Sequence, residues 1–221
     1  MNCLVCTTYT SIVDLLNALL SRHDASTDTD LIVCSTRAEF LHEVLAQLDH
    51  QHASAAEPGN DDGDLDLPDS RHALLSPTLS LLSASQHCRL VFCPTITTLR
   101  GYLSSYSARV SHIGVSNRHC QIMIVNLLRQ HSGTAEFTLQ GLSHTFASAV
   151  SAAHTTRRPL RLVELQDTGD HPDPNQGPGL WSAQVPLLNT AIKIGEGGTA
   201  WGRRTISVEK VASRWFRRES E

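Results

Sequence analysis

Arg203, Arg204, Lys210, Arg214, Arg217 and Arg218 crowd the last nineteen residues of the chain. Only Glu209, Glu219 and Glu221 oppose them, so the local charge is +3. Trp201, Trp215 and Phe216 are interleaved with these bases. Guanidinium groups beside aromatic rings suit phosphate contacts and base stacking, which makes the six basic residues candidates for nucleic-acid binding. The same spacing also suits a terminal strand with solvated arginines and with Trp215 and Phe216 packed inward. That plainer reading is the expectation for the rings.

Other chemistry is thin. Cys3-x-x-Cys6 is half of a zinc pattern, but no second Cys or His pair follows at a useful distance. Cys34, Cys88, Cys93 and Cys120 fall in or beside apolar runs, where a thiol behaves as a small hydrophobe. No metal site is expected. A phosphate-cradling Gly-x-x-x-x-Gly-Lys-Ser/Thr is absent, and lysine occurs only at Lys193 and Lys210. Gly195-Glu196-Gly197-Gly198 lies between two strand-like runs and leads into no helical pattern, so it reads as a turn. Ser143 and His144 adjoin on a helical stretch without the strained Gly-x-Ser-x-Gly elbow of a hydrolase. No catalytic residue and no cofactor is expected.

The whole chain bounds these readings. Its 221 residues suit a single domain with a sizeable core, and 40% of them are hydrophobic. The net charge of −4 excludes a general basic coat for nucleic acid, though not a local patch. Six cysteines are too few for a disulfide scaffold. No apolar run approaches the roughly 18 residues of a membrane span, and residues 1–11 lack the basic start of a secretory signal. A soluble, intracellular protein is expected, with no membrane contact.

Apolar periodicity predicts the elements that must position the candidates. A helix over 10–22 carries Ile12, Val13, Leu15, Leu16, Leu19 and Leu20 on one face, capped by Thr10 or Ser11. Residues 24–30 read as a polar loop and 31–34 as a strand buried on both faces. Ser35 or Thr36 caps a helix over 37–50. The acidic, Gly- and Pro-containing stretch 51–70 reads as a disordered insertion. A helix over 72–83, a buried strand over 89–93 and a helix over 95–105 follow. Then come a strand over 121–126, a long helix over 135–154 and a strand over 160–165. Residues 166–180 read as a loop, and 181–193 and 199–217 as strands with no helix between them. Alternating strands and helices predict an α/β fold: a mostly parallel sheet flanked by helices, ending in antiparallel C-terminal strands.

This order of parts resembles the RecA-like superfamily, and eukaryotic recombinases within it. Residues 31–45 resemble the strand and helix that follow the nucleotide-binding helix, and 89–103 the next strand and helix. Residues 121–126 lie where the Walker B strand belongs, 135–154 resemble the helix behind it, and 160–166 the following strand. Residues 181–217 resemble the terminal strands. The likeness covers most of the chain apart from 51–70. It departs at both nucleotide motifs. The stretch 3–11, where the phosphate loop belongs, holds no glycine, and the Walker B acid is replaced by Asn126. A neutral amide is a poor substitute for a carboxylate beside Mg²⁺. Arg129 and the 166–180 loop stand where the family's DNA-facing loops lie.

The resemblance implies a noncatalytic recombinase paralog, like those of the Shu complex, working in homologous recombination and DNA repair in the nucleus. Its partners would be other RecA-like subunits and single-stranded DNA. A second reading is a RecA-like accessory subunit of Elongator, acting in transfer RNA modification. A third is an ATPase whose phosphate loop lies upstream of this sequence.

Overall fold

The computed structural model describes residues 3–6, 9, 11–21, 27–55, 73–76, 78–112, 119–166, 177–187, 192–194, 200–202 and 204–218. Strand β1 (Cys3–Cys6) leads to helix α1 (Ile12–Leu20), whose first turn is closed by the Ser11 side chain accepting from the Asp14 N–H. Strand β2 spans Thr27–Val33. It begins earlier than the sequence suggests because Thr29 and Asp30 are buried polar residues with partners, not loop. Helix α2 (Arg37–Ala55) starts at a reciprocal capping box: Thr36 Oγ1 accepts from the Glu39 N–H, and the Glu39 carboxylate accepts from the Thr36 N–H. The helix runs to 55, so the first five residues of the expected disordered insertion are helical. The acidic residues from Glu57 onward lie outside the described residues.

The helix expected over 72–83 is two pieces, a 3-10 turn at Ala73–Leu75 and α3 (Leu79–Ser85). Strand β3 (Cys88–Phe92) follows, then α4 (Ile96–His112) and β4 (His119–Val125). A short helix α5 (Leu127–His131), unforeseen in the sequence, precedes α6 (Leu139–Thr156). Strand β5 is Leu160–Val163, and a 3-10 turn occupies Gly177–Trp181 at the end of the expected loop. The remaining elements are β6 (Gln184–Pro186), β7 (Ile192–Ile194), β8 (Ala200–Gly202), β9 (Thr205–Ser207), α7 (Val208–Ala212) and β10 (Arg217–Arg218). Thus a helix does interrupt the terminal run of strands.

Six strands form one sheet in the order β10-β1-β5-β4-β2-β3, and every pair in it is parallel. The antiparallel pairs β6–β9 and β7–β8 are two separate two-stranded sheets, so the main sheet itself ends on a parallel strand. Its central strands are apolar on both faces, as a parallel sheet covered by helices requires. Ile12, Leu15, Phe40 and Leu48 pack on one face with Leu31, Val33 and Met123. Leu99, Leu103, Phe146, Val208 and Val211 pack on the other with Ile32, Ile122 and Ile124. Strand β3, expected to be buried, is instead an edge strand with Leu90 40% exposed.

Candidate functional site

In an open α/β sheet, ligands bind beyond the carboxyl ends of the strands, where neighbouring strands send the chain to opposite faces. Strands β4 and β2 meet that condition, since α6 covers one face and α2 the other. Just beyond their carboxyl ends stand Asn126, Glu164, Cys34 and Cys93, all four buried.

Asn126 follows β4 directly and adopts a left-handed backbone, φ 60°. Asparagine tolerates that conformation better than most residues. Its Oδ1 accepts from the Leu165 N–H at 3.0 Å, and its own N–H donates to the Val163 carbonyl at 2.9 Å. The side chain is therefore committed to joining the ends of β4 and β5. Glu164 is fully buried beside it. Its carboxylate accepts from the Leu128 N–H at 2.6 Å and from the Arg129 N–H at 3.3 Å. Burial raises its pKa from 4.5 to about 8, against the lowering effect of those amide bonds.

Helices α1, α2 and α4 also start beyond this edge, after the parallel strands β1, β2 and β3, and at the start of α1 two side chains meet the amides. Ser11 Oγ accepts from the Asp14 N–H at 3.0 Å, and the buried Gln47 Oε1 accepts from the Val13 N–H at 3.2 Å. Asp14 adds a carboxylate in the first turn. Helix-start amides are the usual cradle for phosphate. Here those of α1 and α5 are taken by side chains of the chain itself. Cys34 and Cys93 directly follow β2 and β3 in the same core, and both are buried. Burial lifts the Cys93 thiol to about 11 and the Cys34 thiol well above its ordinary value, with Glu164 adding to the latter. Neither is poised as a nucleophile.

Glu164 and Gln47 escaped the sequence reading. Each does leave a trace: an acid within the apolar run 160–165, and a glutamine on the stripe of Phe40, Val44 and Leu48. A second polar cluster lies toward the opposite end of the sheet. Asp30 Oδ2 accepts from Arg158 Nη1 at 2.7 Å and from the Tyr106 hydroxyl, while Arg89 Nε stands 3.5 Å from Oδ1. It neutralises a buried carboxylate and joins β2, β3, α4 and the chain after α6. No group of three or more metal-ligating side chains occurs among the described residues.

The basic candidates divide between places. Arg129 lies on α5, its guanidinium 3.5 Å from the Glu43 carboxylate. Lys210 lies on α7, Arg214 in the turn after it, and Arg217 and Arg218 on β10, all exposed. Arg218 pairs with Glu209 at 3.2 Å. Arg204 is exposed just before β9, and Arg203 lies outside the described residues. The rings do pack inward. Phe216 is buried edge-on against Phe146, with centroids 5.3 Å apart, and Trp215 is half-buried against the same core. The Trp201 side chain is outside the described residues. His144 is an exposed residue of α6, with no acid paired to it among the described residues.

Among the described residues no helix is long and apolar enough to cross a membrane. The chain matches no protein-family model, and no curated protein matches it in sequence.

Proposed function

We propose that this chain is a RecA-like accessory subunit without ATP hydrolysis, acting in homologous recombination by pairing with other RecA-like subunits in the nucleus. The reading rests on the order of parts in the sequence and on one observation beyond the carboxyl ends of the strands. Amides at the starts of α1 and α5 are filled by Ser11, Gln47 and Glu164. A nucleotide phosphate would have to displace a buried carboxyl and then lie beside Asp14. Asn126, at the Walker B position, offers no carboxylate for Mg²⁺, and its amide oxygen is already bonded. Such a domain keeps the surfaces of a RecA-like subunit without the reaction.

Contact with single-stranded DNA, which belongs to the same reading, falls to phosphate bonds from Arg204, Lys210, Arg214, Arg217 and Arg218. Phe216 is buried and Trp215 half-buried, so neither ring is presented as an open stacking platform. Affinity purification of the tagged chain from its own cells, with equilibrium binding of a fluorescent ATP analogue to the pure protein, tests the proposal. Recombinase-like partners and no nucleotide binding are expected. Elongator subunits among the partners would move the protein to transfer RNA modification. Nucleotide binding would overturn the noncatalytic reading.

A further inference from the structure

The two margins of the main sheet are unlike. β10 is two residues long, and both are exposed arginines. Shortness and charge blunt it as an edge. β3, at the other margin, is the five-residue strand Cys88-Arg89-Leu90-Val91-Phe92, with one charge and no proline. That charge is turned back toward the sheet. Arg89 pairs with Asp30 of β2, and its Nη2 donates to the Tyr102 hydroxyl. Leu90, in the middle of the strand, is exposed. Helix α3 packs beside β3 and carries no charged side chain.

The backbone of the β3 margin is open. The Thr29 N–H donates to the His87 carbonyl at 2.7 Å, and the Cys93 N–H donates to the Val33 carbonyl at 2.9 Å. Both bonds join this stretch to β2, and the register between them is unbroken. Backbone groups alternate in direction along a strand, so His87, Arg89, Val91 and Cys93 turn theirs to β2. Cys88, Leu90 and Phe92 turn theirs outward, as an end strand must. Among the described residues these outward groups make no hydrogen bond.

We propose that β3 pairs antiparallel with β3 of a second copy of this chain, about a two-fold axis at Leu90. Leu90 then opposes Leu90 of the second copy, and Cys88 opposes its Phe92. In this register outward residues meet outward residues, so each facing pair exchanges both its hydrogen bonds. A slipped register leaves outward groups of both strands unpaired. Arg89 stands opposite Val91, so no like charges meet across the axis. The edge is therefore complementary to itself, as an isologous interface requires. β10 is not, because pairing with its own copy would bring arginines together. An unrelated partner would have to supply a free strand, whereas a second copy brings one already extended. The inference does not depend on the RecA-like reading.

Sedimentation velocity of the full chain in reductant, over a concentration series into the high micromolar range, tests the pairing. We expect a dimer. Leu90→Lys and Leu90→Glu each place like charges opposite one another and should weaken dimerisation by roughly tenfold or more. An equimolar mixture of the two variants should restore it, because Lys then opposes Glu. Far-UV circular dichroism checks that both variants stay folded. Amide exchange of the wild type gives a reading that needs no variant: the Leu90 and Phe92 N–H groups should exchange slowly in the dimer and fast on dilution. A wild type that stays monomeric overturns the proposal and leaves the edge to a strand of another protein. A dimer indifferent to both variants, a mixture that restores nothing, or exchange at Leu90 and Phe92 unchanged by dilution overturns it as well.

Discussion

Glu164 and His131 are both buried, and burial drives their protonation in opposite directions. Burial raises Glu164 from 4.5 to about 8, and it lowers His131 from 6.5 to about 4, with Arg100 assisting. Between pH 4.5 and 8 the folded chain keeps the Glu164 proton that the unfolded chain releases. Its contribution to stability therefore falls as pH rises through that window, by about 1.4 kcal/mol per pH unit. His131 behaves oppositely. Below pH 6.5 the unfolded chain gains a proton that the folded one refuses until about pH 4, so its contribution falls as pH drops. The two slopes cancel between pH 4.5 and 6.5, and from 6.5 to 8 only the Glu164 decline remains. Glu164→Gln should abolish the decline above pH 6.5 and uncover a rise in stability between pH 4 and 6.5. Urea midpoints at half-unit pH intervals measure both curves, and a wild-type midpoint climbing from pH 6.5 to 8 would contradict the assignment.

The elements differ in how plainly the sequence announces them. Helix α2 is legible from Thr36 and Glu39 alone, because its capping box is a local pattern of two residues three apart. The β2 start is not legible. The stretch Thr27-Asp28-Thr29-Asp30 reads as loop until Arg158, 128 residues from Asp30 in sequence, supplies the counter-charge. Helix α5 is hidden for a related reason, since a five-residue helix held by Glu164, just after β5, shows no periodicity of its own. Asn126 was legible as a position, at the end of a central strand, but its bond to Leu165 depends on which strand lies beside it. The join between α5 and α6 depends on Gly141 in the same non-local way. A Cβ there would stand 2.1 Å from the Glu136 carbonyl oxygen. His131 Nδ1 also bonds that oxygen, and Arg100 reaches the Glu136 carboxylate and the Gly141 carbonyl. Gly141→Ala must push this junction apart, although alanine favours helices. We expect a loss of about 1–3 kcal/mol, as for other overpacked sites, read from the denaturant midpoint. An unchanged or higher midpoint would mean that the turn yields without strain.

At the scale of the molecule, the net charge of −4 is an uneven sum. Residues 57–69 carry six carboxylates and no Lys or Arg, while the last nineteen residues carry +3. Deleting 57–69 would take the formal net charge from −4 to +2. The deletion has to begin after Ala55, because α2 continues to that residue, and end before Ala73, where the next turn starts. The residues removed are rich in Asp, Gly and Pro and poor in apolar side chains, and shortening a connection changes its closure entropy only slowly with length. Thermal stability should therefore stay within a few degrees of the parent, as calorimetry would record. Nucleic-acid binding should not stay the same. With the acidic stretch gone, the exposed Arg204, Lys210, Arg214, Arg217 and Arg218 face polyanions without a repelling counterpart, and such attraction depends steeply on salt. The deleted chain should bind a heparin column more tightly than the parent and lose that gain in high salt. Equal retention of the two chains would mean that the acidic stretch does not screen the terminus. Its charge would then matter to some other surface.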